Sequence, residues 1–409
     1  MKSAIHLAEK EQCTACGACK CACPTNSIKM QLDDMGCEYP YIDEETCIGC
    51  GLCMKACPVD KDCFPDSALN NVYAAWNKDS ADRELAASGG IATAVYRYAL
   101  NNGIKSFGVE YTPKKSACYK EIKNEKDIED CRNSKYVFSD ITPILPRIKQ
   151  YLSEGEKVIV IALPCQAAAV ISYLGGRAPN LIVIDIICHG VCPVTYLNQH
   201  ISCVEEKTKK NAEKVYFRDP KFETGKFMFS VYDDKDLLYK CGVYKNDVYQ
   251  IGYHKALTYR ENCFSCKYAQ DKRIGDITIS DFSGLGRVAS FVHNRKSVSC
   301  VIISTDKGNA LIDELVNSDM LEIERRPSEE AFDYEKMLSS PSIPHNAIDI
   351  FRKEYRASQD FEKSARKALR KSIRKNMIKY YLHLDDIKCI LAKICPKFLK
   401  DFVKKLVKK

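Results

Sequence analysis

Two copies of a single cysteine spacing stand back to back near the start of the chain: Cys13, Cys16, Cys19 and Cys23-Pro24, then Cys47, Cys50, Cys53 and Cys57-Pro58. Each reads C-x2-C-x2-C-x3-C-P. Three thiolates this close together wrap one corner of an inorganic iron-sulfur cube, while the fourth is held off by a helical turn. Gly17 and Gly51 permit the tight backbone wrap. A disulfide framework or a pair of zinc sites asks for no third Cys two residues after a C-x2-C, nor for Cys-Pro twice over. Cys21, Cys37 and Cys63 fall outside the pattern and read as spare thiols.

The doublet resembles the ligand run of a bacterial two-cluster ferredoxin. That resemblance implies crossed ligation, in which the fourth cysteine of each copy reaches the other cube. One 4Fe-4S cluster would then take Cys13, Cys16, Cys19 and Cys57, and the other Cys47, Cys50, Cys53 and Cys23. A chain of 409 residues is too long for such a module alone. The clusters are expected to feed something larger.

Twenty-three cysteines suit secretion only behind an export signal, and residues 1–12 have neither an apolar core nor a cleavage-like site. The expected compartment is therefore a reducing cytoplasm. Residues 158–176 carry no charge and are long enough to span a membrane, but Pro164, Gln166, Ser172 and Gly175-Gly176 divide them into a strand, a turn and a short helix. Charge is concentrated at the other end. Residues 351–409 hold nineteen Lys or Arg against six Asp or Glu, which leaves the rest of this +8 chain at −5. Apolar residues recur there at helical spacing through Phe361, Ala365, Leu369, Ile373 and Met377, then Ile387, Leu391, Ile394, Phe398, Phe402 and Leu406. The tail reads as basic amphipathic helices, packed on their own domain or contacting a membrane surface peripherally or an acidic partner protein. Nucleic acid is not expected, because no recognition motif is present and the remaining chain is negative.

After a Pro- and Asp-rich linker at 62–71, a new domain begins near Val72. Helices are expected at 91–100, 125–132 and 143–153, and strands at 106–111 and 117–122. The strand 157–163, helix 166–174 and strand 181–187 form a βαβ unit with parallel strands. Further strands are expected at 276–280 and 298–304, with Tyr/Phe-rich candidates between 215 and 248. The expected fold is of the α+β or α/β class: a bacterial ferredoxin-like module, an α/β domain with a mixed sheet, and a basic helical C-terminal tail. The corresponding divisions are 1–66, 67–156, 157–345 and 346–409.

Cys165 follows the first strand of the βαβ unit and Cys188 the second, so both fall at the carboxyl edge of a parallel sheet, where open α/β folds place ligands. Cys263 and Cys266 add a C-x2-C pair. These four thiols suit a third 4Fe-4S cluster, a buried structural zinc, or unligated packing as small apolar side chains.

Several motifs together resemble the coenzyme F420 hydrogenase/dehydrogenase beta-subunit family. They are Ser88-Gly89-Gly90, Ser134-Lys135-Tyr136, Pro164-Cys165-Gln166, Cys188-His189-Gly190-Val191, Cys263 to Tyr268 and Asp276 to Phe282. The family includes a chlorophyll-recycling reductase that converts a hydroxymethyl to a methyl group. Its members combine iron-sulfur clusters with FAD and pass electrons between ferredoxin-like donors and a low-potential acceptor. The resemblance implies that Cys165, Cys188, Cys263 and Cys266 ligate the third cluster and that the late motif, with Asp281, lies at the cofactor. Two departures stand in that motif, where Ser280 and Ser283 replace the Gly and Trp common in the family. Cys192 also stands where a small residue is commoner.

A flavin suits the chemistry, because clusters carry single electrons while most organic reductions need two together. Ser88, Gly89 and Gly90 at a helix start offer amides for its pyrophosphate, or serve only as a Ser cap with flexible glycines. Ser134, Lys135 and Tyr136 are further flavin-contact candidates, with Lys135 placed to stabilise an anionic reduced ring. His189 is the candidate catalytic proton donor, or a hydrogen-bond donor to cluster sulfur. Gly284 to Ala289 matches G-x-G-x-x-A, with Asp306 beyond, but the helix expected at 288–294 is too short for a dinucleotide crossover. The expected function is an oxygen-sensitive iron-sulfur flavoprotein oxidoreductase that works with a redox partner protein and a small-molecule acceptor. The alternatives are a relay subunit of a larger hydrogenase or dehydrogenase, and a reductase in polysaccharide biosynthesis.

Overall fold

The computed structural model describes residues 5–66, 69–112, 116–222, 224–242, 246–294 and 297–381. The amino-terminal module is a two-stranded antiparallel sheet of β1 (Ile28–Leu32) and β2 (Glu38–Ile42), with Ile28 opposite Ile42. Two short helices, Ala18–Cys21 and Leu52–Ala56, each begin after a left-handed glycine, Gly17 at φ 70° and Gly51 at φ 73°. A residue with a Cβ adopts that conformation only under strain, and this turn is what folds each cysteine loop back on itself.

The main body is one nine-stranded sheet. Its strands are β3 (Asn71–Asn77), β4 (Lys105–Thr112), β5 (Ser116–Ile122), β6 (Ser139–Asp140), β7 (Val158–Ala162), β8 (Leu181–Ile186), β12 (Ile277–Asp281), β13 (Ser299–Ile303) and β14 (Leu321–Arg325), in the order β14-β3-β13-β12-β8-β7-β4-β5-β6. The four central strands β12, β8, β7 and β4 are parallel, and antiparallel pairings flank them on both sides. Sequence regions 67–156 and 157–345 thus share one sheet.

β7 reads VIVIA with all five residues buried, as a central strand covered on both faces must. Each Val or Ile buried there contributes roughly 1.5–3 kcal/mol. The helix Pro164–Leu174 follows and closes the βαβ unit at Gly175. Residues 158–176 are therefore a strand and a helix, and among the described residues no helix is long and apolar enough to cross a membrane. One sheet face packs Phe107, Val160 and Ala167 together with Cys16, Ala18 and Ala56 of the module, which seats the module's two short helices on Pro164–Leu174. The other face packs Ile91, Ala94, Ile159, Ile184 and Leu311.

A second, aromatic core surrounds a three-stranded sheet of β9 (Lys214–Tyr216), β10 (Met228–Tyr232) and β11 (Leu237–Gly242). Helices Val194–Thr208, Val248–His254, Ile348–Ser358 and Phe361–Ala368 enclose it. Phe361, Ala365 and Leu369 are fully buried in it, so the start of the basic tail is a packed part of the domain. His200 fastens it, since Nε2 lies 3.0 Å from Asp247 and Nδ1 meets Glu362. The tail continues as helix Arg370–Tyr381, where Ile373 still packs and Met377 is exposed. The later apolar positions Ile387, Leu391, Ile394, Phe398, Phe402 and Leu406 lie outside the described residues.

The sequence places a short helix at 288–294, and the structure has an irregular loop there. The loop is seated against the helix Glu329–Phe332: a Cβ at Gly284 would lie 1.9 Å from the Glu330 carbonyl oxygen, and Glu330 accepts the amides of Val288 and Ala289. Helix-start amides that would hold a phosphate are thus absent from this stretch.

Candidate functional site

All twenty-one cysteines among the described residues are free thiols. In the module they segregate into two sets. Cys57 lies close enough to Cys13, Cys16 and Cys19 to raise the pKa of each, with burial the larger cause, and Cys16 is pushed up to about 11. Cys23, Cys47, Cys50 and Cys53 line a cavity of about 300 Å³ with Ile5, Ile28, Ile42 and Ile48. Cys57 thus sits with the first copy's triad and Cys23 with the second's. Cys23 is held low, because its slight burial is outweighed by the Thr25 hydroxyl at 3.6 Å and the Ser27 amide at 3.3 Å. Cys50 is exposed, which makes this the outer set.

A third set forms where three separate segments meet. Cys165 stands in the first turn of the helix after β7, Cys188 follows β8, and Cys263 and Cys266 lie on the short turn Glu261–Ser265 and just beyond it. All four line one cavity of about 570 Å³ at the carboxyl edge of the sheet. Burial, then mutual repulsion, raises Cys165 and Cys188, and Cys263 is pushed up to about 12. Cys165 also feels Cys16, so the third set adjoins the inner module set, with the Tyr268 ring close to both. The loop holding Cys263 and Cys266 is tied to the module. Lys267 Nζ donates to the carbonyls of Pro58 (2.9 Å), Val59 (2.6 Å) and Lys61 (3.0 Å), and the Ser265 hydroxyl donates to that of Glu11 (3.1 Å).

The donor chemistry fits iron-sulfur cubes. A mononuclear zinc needs its thiolates about 2.3 Å from one point. Among the described residues no three His, Cys, Asp or Glu side chains converge so tightly on a single ion. A cube instead keeps its four sulfurs apart while bringing iron's positive charge among thiols that burial would otherwise hold protonated.

Beyond the third set the same sheet edge carries a second group. Asp281 ends β12 and pairs with Arg218 at 2.8 Å, whose guanidinium lies 4.3 Å over the Phe227 ring. Tyr136 stacks on Tyr253 at 4.5 Å and is pushed up to about 12, mainly by burial and then by its two charged neighbours, Arg218 lowering it and Asp281 raising it. His254 has one side open and the other against Tyr136, Phe227 and Tyr253, and it is held below the usual histidine range by burial, then by His189 and Arg218. His189 borders the cavity of the third set.

Ser88, Gly89 and Gly90 also reach this edge, through the register Ala75–Ser299–Asp281. Their groups are directed inward. The Ser88 hydroxyl donates to the Val298 carbonyl, and the Gly89 amide to the Ser299 hydroxyl at 2.9 Å. Gly90, at φ 81°, precedes the helix Ile91–Asn101. Lys135 donates to the carbonyls of Asp130 and Arg132 and is pushed down to about 8, chiefly by burial. Its ammonium is held by its own loop. Cys192 shares a 2.8 Å contact with the Thr258 hydroxyl, and Cys21 reaches the Thr142 carbonyl.

Sequence reasoning missed four basic residues here, the neutral His254 and the arginines Arg218, Arg260 and Arg273. Arg260 and Arg273 line the third set's cavity, and both are almost fully buried. The one available signal was their place around the C-x2-C pair, three residues before Cys263 and seven after Cys266.

Residues 155–329 match the family described as the C terminus of the coenzyme F420 hydrogenase/dehydrogenase beta subunit, and residues 12–61 and 39–133 match two families each described as a 4Fe-4S dicluster domain. The chain is 25% identical over 274 residues to the coenzyme F420 hydrogenase subunit beta of Methanothermobacter thermautotrophicus, an alignment covering 63% of this chain and 85% of that protein. A chain from a xenon-derivatised structure of the F420-reducing [NiFe] hydrogenase complex of Methanosarcina barkeri is 20% identical, with a TM-score of 0.40, and 75% of this chain and 93% of that one are covered. The chain thus carries a region, residues 155–329, that matches the C terminus of the coenzyme F420 hydrogenase/dehydrogenase beta subunit, behind an amino-terminal region that matches a 4Fe-4S dicluster domain.

Proposed function

We propose that this chain is an iron-sulfur flavoprotein oxidoreductase that takes electrons from a ferredoxin-type donor and delivers them to a small-molecule acceptor. The observation that carries the reading is the order of the three thiol sets, from exposed Cys50, through the inner module set, to Cys165 beside Cys16. Bound there as 4Fe-4S cubes, the clusters would carry one electron each, and FAD would collect two for the acceptor. The first turn of helix Ile91–Asn101, Tyr136 and Asp281 are the residues that would hold the flavin, since Ser88, Gly89 and Lys135 are committed to protein partners.

The chain's own groups supply the rest. Lys267 and Ser265 fix the module against the third set, so the spacing between thiol sets does not drift. His189 is the candidate proton donor to reduced acceptor. His254, neutral beside it, keeps a second positive charge away from that position. Asp281, half exposed at the end of β12, holds the buried Arg218 guanidinium in place.

A second reading is a relay subunit of a larger hydrogenase or dehydrogenase. The relative from M. thermautotrophicus is named as a hydrogenase subunit, and apolar Ile48, Leu52 and Met54 are exposed around Cys50. Anaerobic purification with iron, sulfide and flavin quantitation tests the main reading. About twelve irons and one FAD per chain support it. About eight irons remove the third cluster, and zinc without sulfide removes the scheme. Turnover of the isolated chain with reduced ferredoxin separates enzyme from relay.

A further inference from the structure

We propose that Arg260 is the counter-charge shared by the two inner thiol sets, and that its guanidinium raises the midpoint potentials of the clusters held there. The inference rests on reading those sets as cluster ligands. Arg260 is 2% exposed. Its guanidinium lies between the Tyr39 ring at 4.8 Å and the Phe138 ring at 5.0 Å, and Nη2 donates to the Glu38 carbonyl at 3.0 Å. Nε is buried without a hydrogen-bond partner, and among the described residues no carboxylate pairs with this side chain.

A guanidinium does not lose its proton at such a site, and an uncompensated buried cation is unfavourable by several kcal/mol. Negative charge must therefore lie nearby. Among the described residues Arg260 stands between two candidates, touching the cavity of the third set beside Cys263 and Thr14, whose chain neighbour is Cys13. Cys13 and Cys263 both feel its charge. Arg273 lines the same cavity but is neutralised by Asp185 at 2.8 Å, so its field on the sulfurs is mostly cancelled. Arg260 also bridges the two parts of the chain. Its side chain contacts the module through Glu38 and Tyr39, and its own amide donates to the Val191 carbonyl in the main domain.

A fixed positive charge favours the state holding the extra electron, and it does so in a recessed site where water screens it weakly. Removing it moves both inner midpoint potentials to more negative values and leaves the outer set, around Cys50, where it was.

The test is an anaerobic redox titration followed by electron paramagnetic resonance on full-length wild type, Arg260→Gln and Arg260→Lys, with iron counted in each. The expected result is full iron in all three, both inner midpoints lowered in the Gln variant, and recovery in Lys. Full iron with unmoved inner midpoints overturns the proposal, and so does a Lys variant that shifts as far as Gln. If Gln fails to assemble, Lys decides: wild-type midpoints at full iron support the charge, and iron loss in Lys as well assigns Arg260 to packing and overturns it. Wild-type protein with about eight irons instead defeats the reading of the third set, and the shared role falls with it.

Discussion

The outer thiol set and the third one offer the same four sulfurs, yet they are built in opposite ways. Cys47, Cys50 and Cys53 come from one loop bent by Gly51, with Cys23 returning from the paired loop, and Cys50 stays exposed. Cys165, Cys188 and the Cys263–Cys266 pair come from two strand ends and a distant turn, and they meet only because β7 and β8 are neighbours. A site made by one loop depends on that loop. A site made by a sheet edge depends on the whole scaffold, but it gains burial and fixed charges that a surface loop lacks.

The largest test of that contrast is to remove one sulfur from each set. Cys188→Ser is expected to lower iron by about four per chain and acceptor reduction by more than about 100-fold, with both module signals retained, as iron assay, paramagnetic resonance and steady-state turnover would read. Loss of all three clusters in that variant would show that the module cannot fill without the scaffold and would break the contrast.

Next come the two wrapping glycines, alike in φ and unlike in surroundings. Gly51→Ala meets nothing within 4 Å and is expected to add only left-handed strain of about 1–2 kcal/mol. Gly17→Ala places its Cβ 2.2 Å from Thr142 Cγ2, adding overpacking of about 1–3 kcal/mol to the same strain. Calorimetry on anaerobic protein should find Gly17→Ala the less stable, and equal losses would mean that the module is not seated as tightly as the structure has it.

The scaffold beneath the third set should carry a pH dependence that the module loops do not. Burial alone would push His200 down, but Asp247 and Glu362 outweigh it and raise it to about 9. A folded-state value above the ordinary histidine range means that the contribution is complete below about pH 6.5 and is lost as pH rises through about 9. Its ceiling is on the order of 3 kcal/mol. Thermal midpoints between pH 6 and 10 should fall across that window, and His200→Gln should flatten the fall.

The smallest expected effect is at the rim. Arg356 and Asp34 pair at 2.8 Å between the tail and the module turn, both more than half exposed. Arg356→Ala should change stability by less than about 1 kcal/mol, measured by denaturant titration at two salt concentrations.

Much of this was legible in the chain itself. The doublet's spacing is local, so the wrap of each triad followed from a helical turn and a left-handed glycine, while the placing of Cys57 with one triad and Cys23 with the other was what the resemblance to a two-cluster ferredoxin implied. The βαβ unit was legible because a β-branched run, an Ala-rich helix and a Gly-Gly stop leave little choice of fold, and β7 and β8 lie within a residue or so of the expected bounds. Ser88, Gly89 and Lys135 show the limit. Their residue types suited an anionic ligand, while their actual partners, Val298, Ser299, Asp130 and Arg132, include a strand more than two hundred residues away.

By itself the sequence determined which thiols are spaced for a cube, where the parallel unit runs, and that the tail is basic and, in its described part, helical, because each depends on interactions only a few residues apart. Tertiary structure alone decided that four scattered cysteines share a cavity, that Phe361 is core and not docking surface, and that Arg260 is buried between two thiol sets without a carboxylate. Burial and the fields of other charges are set by whatever the chain brings alongside, and no local pattern encodes them.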